Sequence, residues 1–133
     1  MSSPIQELDV SPLRELSADD LTQLRDALKR CSPATFAAAC EFRRTGRVEY
    51  LTSIVTGVIE RYVERELRVK LVQPEDDLRL VEDLGIDSLT MMEIVLLTED
   101  VIRISVSNEE LTQLRTLGDV RRFIVKQTVN PTG

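Results

Sequence analysis

The chain has 133 residues, a net charge of −6, 42% hydrophobic residues, and neither histidine nor tryptophan. That length suits one small domain with an added subdomain, and five glycines with five prolines are too few for a strand-and-turn architecture. Without histidine there is no Ser-His-Asp relay, and without a run of about 20 apolar residues there is no membrane span.

The charge is unevenly placed. Residues 1–47 hold seven acids and seven bases, whereas residues 48–133 hold sixteen acids and ten bases. An acidic module lacks the basic face that nucleic acid requires and suits docking on basic patches of partner proteins. The opening Met1-Ser2-Ser3-Pro4-Ile5 has no basic segment leading into an apolar one. No secretory signal is therefore expected, and the expected compartment is the cytoplasm. Cys31 and Cys40 are the only soft ligands, so they are expected to be small packing residues and no metal site is expected.

In chain order, residues 1–12 read as a loose polar tail. From Leu13 a helical pattern builds through Leu16, Leu21, Leu24 and Leu28, with Ser17 as N-cap, Asp19 and Asp20 in the first turn, and Lys29 and Arg30 in the last. Ser32-Pro33 restarts the chain as cap and first helical residue. Phe36, Ala39, Cys40 and Arg43 carry a second short helix to Gly46. The two make an amphipathic hairpin too small to stand alone, so its apolar side must pack on the rest of the chain or on a partner.

A longer helix is predicted from Val48, with Leu51, Ile54, Val55, Val58, Ile59, Tyr62 and Val63 on its core face and Glu60, Arg61, Glu64 and Arg65 opposite. Tyr50 and Tyr62 read as packing residues. A loop runs from Leu71 to Asp77, after which Leu78 and Leu80 tuck back onto the core. The next helix runs from Ser88 to about Ile102, with Leu89, Met92, Val95 or Leu96, and Glu99 at helical spacing. Ser107-Asn108-Glu109-Glu110 is a capping box opening one short turn. Thr116-Leu117-Gly118-Asp119 is a weaker one, opening a last helix through Arg121, Phe123, Ile124 and Lys126. Asn130 to Gly133 is a frayed end. The fold class is all-α, without strands.

The functional signal is the stretch Val81-Glu82-Asp83-Leu84-Gly85-Ile86-Asp87-Ser88-Leu89. A tight glycine turn places one serine at a helix start, with an aspartate immediately before it. An isolated Asp-Ser ahead of an apolar run is ordinary capping chemistry, with Ser88 as the cap. In this context the layout suits a serine that another protein reaches and modifies.

Asp83-Leu84-Gly85-Ile86-Asp87-Ser88-Leu89, then Met92-Glu93-Ile94-Val95, the acidic pair Glu99-Asp100 and the segment Val106 to Leu117 together resemble the acyl carrier protein family over residues of about 48–128. The resemblance implies a four-helix bundle of three main helices and one short one, at residues 48–133, preceded here by the helical extension 1–47. It implies a 4′-phosphopantetheine arm, derived from coenzyme A, on Ser88, with Asp87 and Leu89 as flanking motif residues. A phosphopantetheinyl transferase would attach the arm, using Mg²⁺ on its own side. Acyl chains would ride on the arm's thiol as thioesters, and an interior lined by residues such as Met92, Leu96 and Val106 would shelter them.

The resemblance also implies that the chain is not an enzyme, that it works as a monomer, and that Glu93, Glu99 and Asp100 dock partners of ketosynthase, acyltransferase or ligase type. The second long helix has fewer acids than is usual in the family, and Arg103 stands where an acid or neutral residue is expected. A specialised carrier for lipid or polyketide synthesis fits better than one for housekeeping fatty-acid synthesis. A peptidyl or aminoacyl carrier and an unmodified adaptor with the same fold are the alternatives. A hydrolase would need a lysine or carboxylate base; the lysines are Lys29, Lys70 and Lys126, and none of them lies near a serine in a recognisable motif. The extension is expected to dock a partner or to stabilise the carrier, and residues 48–133 are expected to fold without it.

Overall fold

Caps written into the sequence start most of the helices in the computed structural model, which describes residues 16–129. The tail 1–12, Leu13 and the end Asn130 to Gly133 lie outside the described residues. Helix α1 spans Ala18–Ala27, and Ser17 Oγ accepts the Asp20 amide at 3.0 Å. It ends before Lys29 and Arg30, which follow the helix rather than closing it. Helix α2 spans Pro33–Thr45, where Ser32 Oγ accepts the Thr35 amide at 3.2 Å and Pro33 leads the first turn.

A 3-10 turn at Val48–Tyr50 leads into α3, Leu51–Tyr62. The expected continuation through Glu64 and Arg65 does not form. Val63 turns extended and buries its side chain, and a 3-10 segment, Arg65–Leu71, replaces both the helix end and the start of the loop. Helix α4 spans Ser88–Ile102, α5 is the short Asn108–Leu111, and α6 spans Leu117–Val129. The capping box before α5 forms in both directions: Ser107 Oγ accepts the Glu110 amide at 3.1 Å, and Glu110 Oε1 accepts the Ser107 amide at 2.9 Å. Before α6, Asp119 Oδ2 accepts the Arg115 and Thr116 amides, and Thr116 Oγ1 accepts the Asp119 amide.

Among the described residues there is no strand. One isolated antiparallel bridge joins Arg79 to Thr116. Around it the Leu80 and Leu117 amides donate to Arg115 and Leu78 carbonyls, lacing the loop before α4 to the start of α6. Asp76 also pairs with Arg121, and Leu80 is buried as expected. Among the described residues, no helix is long and apolar enough to cross a membrane.

The hairpin packs on the rest of the chain. Helix α2 lies along α3, α3 packs on α4 and α6, and both hairpin helices touch α4. Leu24, Leu28, Ala38, Ala39 and Phe42 join Ile54, Val58, Ile59, Val101, Leu117 and Ile124 in one continuous core. The contact between α2 and α3 is close enough to demand a missing side chain. A Cβ on Gly57 would stand 1.9 Å from Thr35 Oγ1 and 2.8 Å from Thr35 Cβ. Cys31 and Cys40 are free and sit half-buried against the core, and burial pushes both thiols above their ordinary pKa.

Two stability measurements test this packing. Leu24 is fully buried, so Leu24→Ala should cost about 2–5 kcal/mol in urea unfolding, and an unchanged midpoint would place the hairpin outside the core. Gly57→Ala should cost about 1–3 kcal/mol through overpacking despite alanine's better helix propensity. Adding Thr35→Ala to that variant should recover part of the loss, and strict additivity of the two would show that the close approach does not matter.

Candidate functional site

The turn before α4 is pinned from beneath. Leu84 and Ile86 are each 2% exposed, so alternate residues of the turn plug into the core while those between face water. Gly85 lies between them at φ 72, a left-handed conformation that costs glycine little. Its amide donates to the Val81 carbonyl at 2.9 Å, and the Ile86 amide donates to Leu80 at 3.1 Å. Asp83 accepts the Arg79 amide at 2.8 Å, Arg79's guanidinium approaches the same carboxylate, and Lys70 Nζ donates to the Asp83 carbonyl at 3.0 Å. The Arg79 amide, chiefly, holds the Asp83 carboxyl below its usual pKa.

The cap of α4 is Asp87, and Ser88 is the first helical residue. Asp87 Oδ1 accepts the Thr90 amide at 2.8 Å. That amide, and then the Thr90 hydroxyl, holds the Asp87 carboxyl below the usual range. Ser88 is thereby relieved of the capping role that Asp-Ser alone suggests. It is exposed, and its hydroxyl makes no hydrogen bond to any described residue. The Ser88 and Leu89 amides, in the first turn, have no partner within the helix. A phosphodiester on Ser88 Oγ would sit against these amides and the positive end of the helix dipole. The residues present therefore fit a phosphate-linked prosthetic group.

Asp87, Ser88 and Leu89 are contiguous and exposed, and Leu89 continues into Met92 and Leu96 as an exposed apolar stripe beside Glu93. This corrects the expected interior. Met92 and Leu96 are 43% and 56% exposed and line no internal cavity (Leu96 borders an open surface groove with Glu93 and Asp100), whereas Ile94, Val95, Leu97, Thr98, Val101 and Ile102 form the buried face of α4. Val106 does line an apolar internal cavity of about 20 Å³, together with Ile59, Met91, Val95, Ile104 and Phe123. That volume is about one water's worth.

Of the three acids expected to dock partners, Glu93 and Asp100 border one surface groove and Glu99 does not. Glu93 and Asp100 are exposed, but Glu99 is half-buried and accepts the Val106 amide through Oε2 at 2.8 Å. The Asp100 carbonyl is taken up by the hairpin, whose Gln23 and Arg43 donate to it. Sequence reasoning missed that contact. Its one local trace is an arginine, Arg43, in register with the buried Ala39 and Phe42.

Comparison with known proteins agrees with this geometry. The family described as "Phosphopantetheine attachment site" matches residues 57–124, just over half of the chain. An acyl carrier protein of Wolinella succinogenes is 36% identical over 66 residues, covering 50% of this chain and 87% of that protein. The meromycolate extension acyl carrier protein of Mycobacterium tuberculosis strain H37Rv is 37% identical over 73 residues, covering 55% of this chain and 63% of that one. An acyl carrier protein of Rhodococcus erythropolis is 48% identical over 50 residues, 38% of this chain and 55% of its own length. No solved structure gives a significant match. The chain belongs to the phosphopantetheine-attachment family as an acyl carrier protein, a carrier with a covalent 4′-phosphopantetheine arm rather than a catalyst.

Proposed function

We infer that Ser88 is the attachment residue and that the chain carries acyl groups for a specialised lipid or polyketide synthesis. The observation that carries the reading is the exposed, unengaged Ser88 hydroxyl at the first position of α4, directly after the capping Asp87. On attachment, the Ser88 Oγ–P bond forms as the pyrophosphate link of coenzyme A breaks. Adenosine 3′,5′-bisphosphate leaves, and the hydroxyl proton passes to the transferase. The arm, when present, supplies a thiol that holds acyl groups as thioesters. Asp87 keeps the helix start in place through Thr90 and offers its outward side to the transferase. Leu89, Met92 and Leu96, with Glu93, form the exposed face that a ketosynthase, acyltransferase or ligase would meet near the arm's root. The mycobacterial relative, named for meromycolate extension, supports a role in building long lipid chains, and the sparse acids of α4 support dedicated partners.

Incubation with coenzyme A, Mg²⁺ and a broad-specificity phosphopantetheinyl transferase should add one phosphopantetheinyl group by intact mass. Ser88→Ala should stay folded by circular dichroism and gain nothing. An arm on the variant would end the assignment, and no gain on folded wild-type chain would favour the unmodified adaptor.

Asp87 makes a separate pH prediction. Its folded-state pKa is depressed, so its contribution to stability is present above the ordinary aspartate value of about 3.9 and is lost as pH falls through the lower folded value. In Asp87→Asn this share of the acid limb should vanish, so stability should fall less steeply with acid than in the wild type. Superimposable acid limbs from unfolding midpoints against pH would contradict the capping assignment.

A further inference from the structure

Arg43 stands on the inner side of α2 with its side chain only 7% exposed. Its Nη2 donates to the Val101 carbonyl at 3.0 Å, the Asp100 carbonyl at 3.3 Å and Gln23 Oε1 at 3.1 Å. Gln23 Nε2 also donates to the Asp100 carbonyl, at 3.4 Å. Asp20 Oδ1 lies 3.5 Å from Arg43 Nη1 and 3.5 Å from Arg103 Nη2. Three hairpin side chains thus hold the last turn of α4, whose carbonyls have no partner within the helix, and the residue just past it. Charge-assisted hydrogen bonds are the strong kind. Arg103 is the cap of α4 at φ 68, a backbone conformation uncommon outside glycine.

The chain that leaves this clasp walls the internal cavity. Ile104 and Val106 lie in the connection 103–107, which has no helix of its own, and both line the cavity. The Val106 amide is tied to Glu99, one turn before the clasped end of α4. At about 20 Å³ the cavity is too small for a fatty chain until a wall moves. Many of the other lining residues stand on α3, α4 and α6, and α4 and α6 each pack on α3. Leu80, Ile86 and Leu114 line it from two further connections, which the Arg79–Thr116 bridge and its neighbouring amides lace together. The 103–106 wall has no such lacing, and it follows directly on the helix end that the hairpin holds.

Resting on the carrier reading above, we propose that Asp20, Gln23 and Arg43 are positioning residues that hold the 103–106 wall shut and so set the length of acyl chain the interior accepts. The extension then acts on cargo through the end of α4, without touching the cavity. With the clasp closed, a long chain stays outside on the exposed stripe, open to partner enzymes. With the clasp released, it enters and is shielded.

The first test uses the unmodified chain and amide hydrogen exchange. Asp20→Asn, Gln23→Ala and the milder Arg43→Lys should each speed exchange by about tenfold at the Val106 amide, which Glu99 Oε2 holds, as loss of one charge-assisted hydrogen bond predicts. Amides of α6 should be little changed. Leu24→Ala, which destabilises the hairpin core without touching the clasp, serves as the control. A speeding at Val106 no larger than that in α6, or no larger than Leu24→Ala produces, would overturn the proposal. The second test compares thermal midpoints of acetyl- and octanoyl-loaded protein. The two should nearly coincide in the wild type, and the octanoyl form should melt higher in the clasp variants. A chain-length difference identical in wild type and variants would reduce the clasp to a structural brace and overturn the proposal. Failure of loading, seen by mass, would strike the carrier reading instead, and the exchange comparison would still decide whether the hairpin holds the wall.

Discussion

The site depends on one hydrogen bond, from the Thr90 amide to the Asp87 carboxylate. Helix starts need an acceptor for their open amides, and in an Asp-Ser pair either residue can supply it. Here the aspartate does, which moves the serine one position into the helix and frees its hydroxyl. The preceding turn makes that choice possible. Leu84 and Ile86 are buried on either side of the exposed Gly85, so the chain enters α4 at a fixed height and Asp87 reaches Thr90. Arg79, Asp83 and Lys70 brace the same turn from the solvent side. The result is a braced support for an exposed hydroxyl, which is what the proposed modification of Ser88 by another enzyme requires.

The hairpin belongs to the same physical object as this support. Its apolar side lies in the core that also buries α3 and the inner face of α4, and the contact of Thr35 with Gly57 shows how closely α2 and α3 are fitted. The polar residues of the hairpin do a second job at the far end of α4, where Arg43 and Gln23 take up open carbonyls. Helix α4 is therefore fixed at both ends, by Asp87 at its start and by the hairpin at its finish. Between them it offers solvent the stripe Leu89, Met92 and Leu96.

The sequence was most legible where a local rule governs. Ser17, Ser32, the Ser107 box and the Thr116–Asp119 pair all cap as their spacing predicts, because a cap involves residues only two or three apart. The buried side of α4 was not legible, since apolar residues occur nearly all round that helix and periodicity alone does not choose between its faces. Met92 and Leu96 were expected inside for that reason and lie outside. The end of α3 was missed because burying Val63 pulls the chain out of the helix, a tertiary demand with no local sign. Glu99 looked like one of a docking pair, but its partner, the Val106 amide, lies beyond the helix in a connection whose path the sequence does not specify. The clasp joins residues more than fifty positions apart, and its one trace in the chain is Arg43 in register with the buried Ala39 and Phe42.

The proposed arm goes to one serine freed from capping. Tryptic mapping of the loaded protein addresses it directly, because cleavage after Arg79 and Arg103 isolates residues 80–103, in which Ser88 is the only serine. All of the added mass should fall on this peptide, and fragment ions should place it on Ser88. Added mass on any other peptide, or on Thr90 or Thr98 within this one, would contradict it.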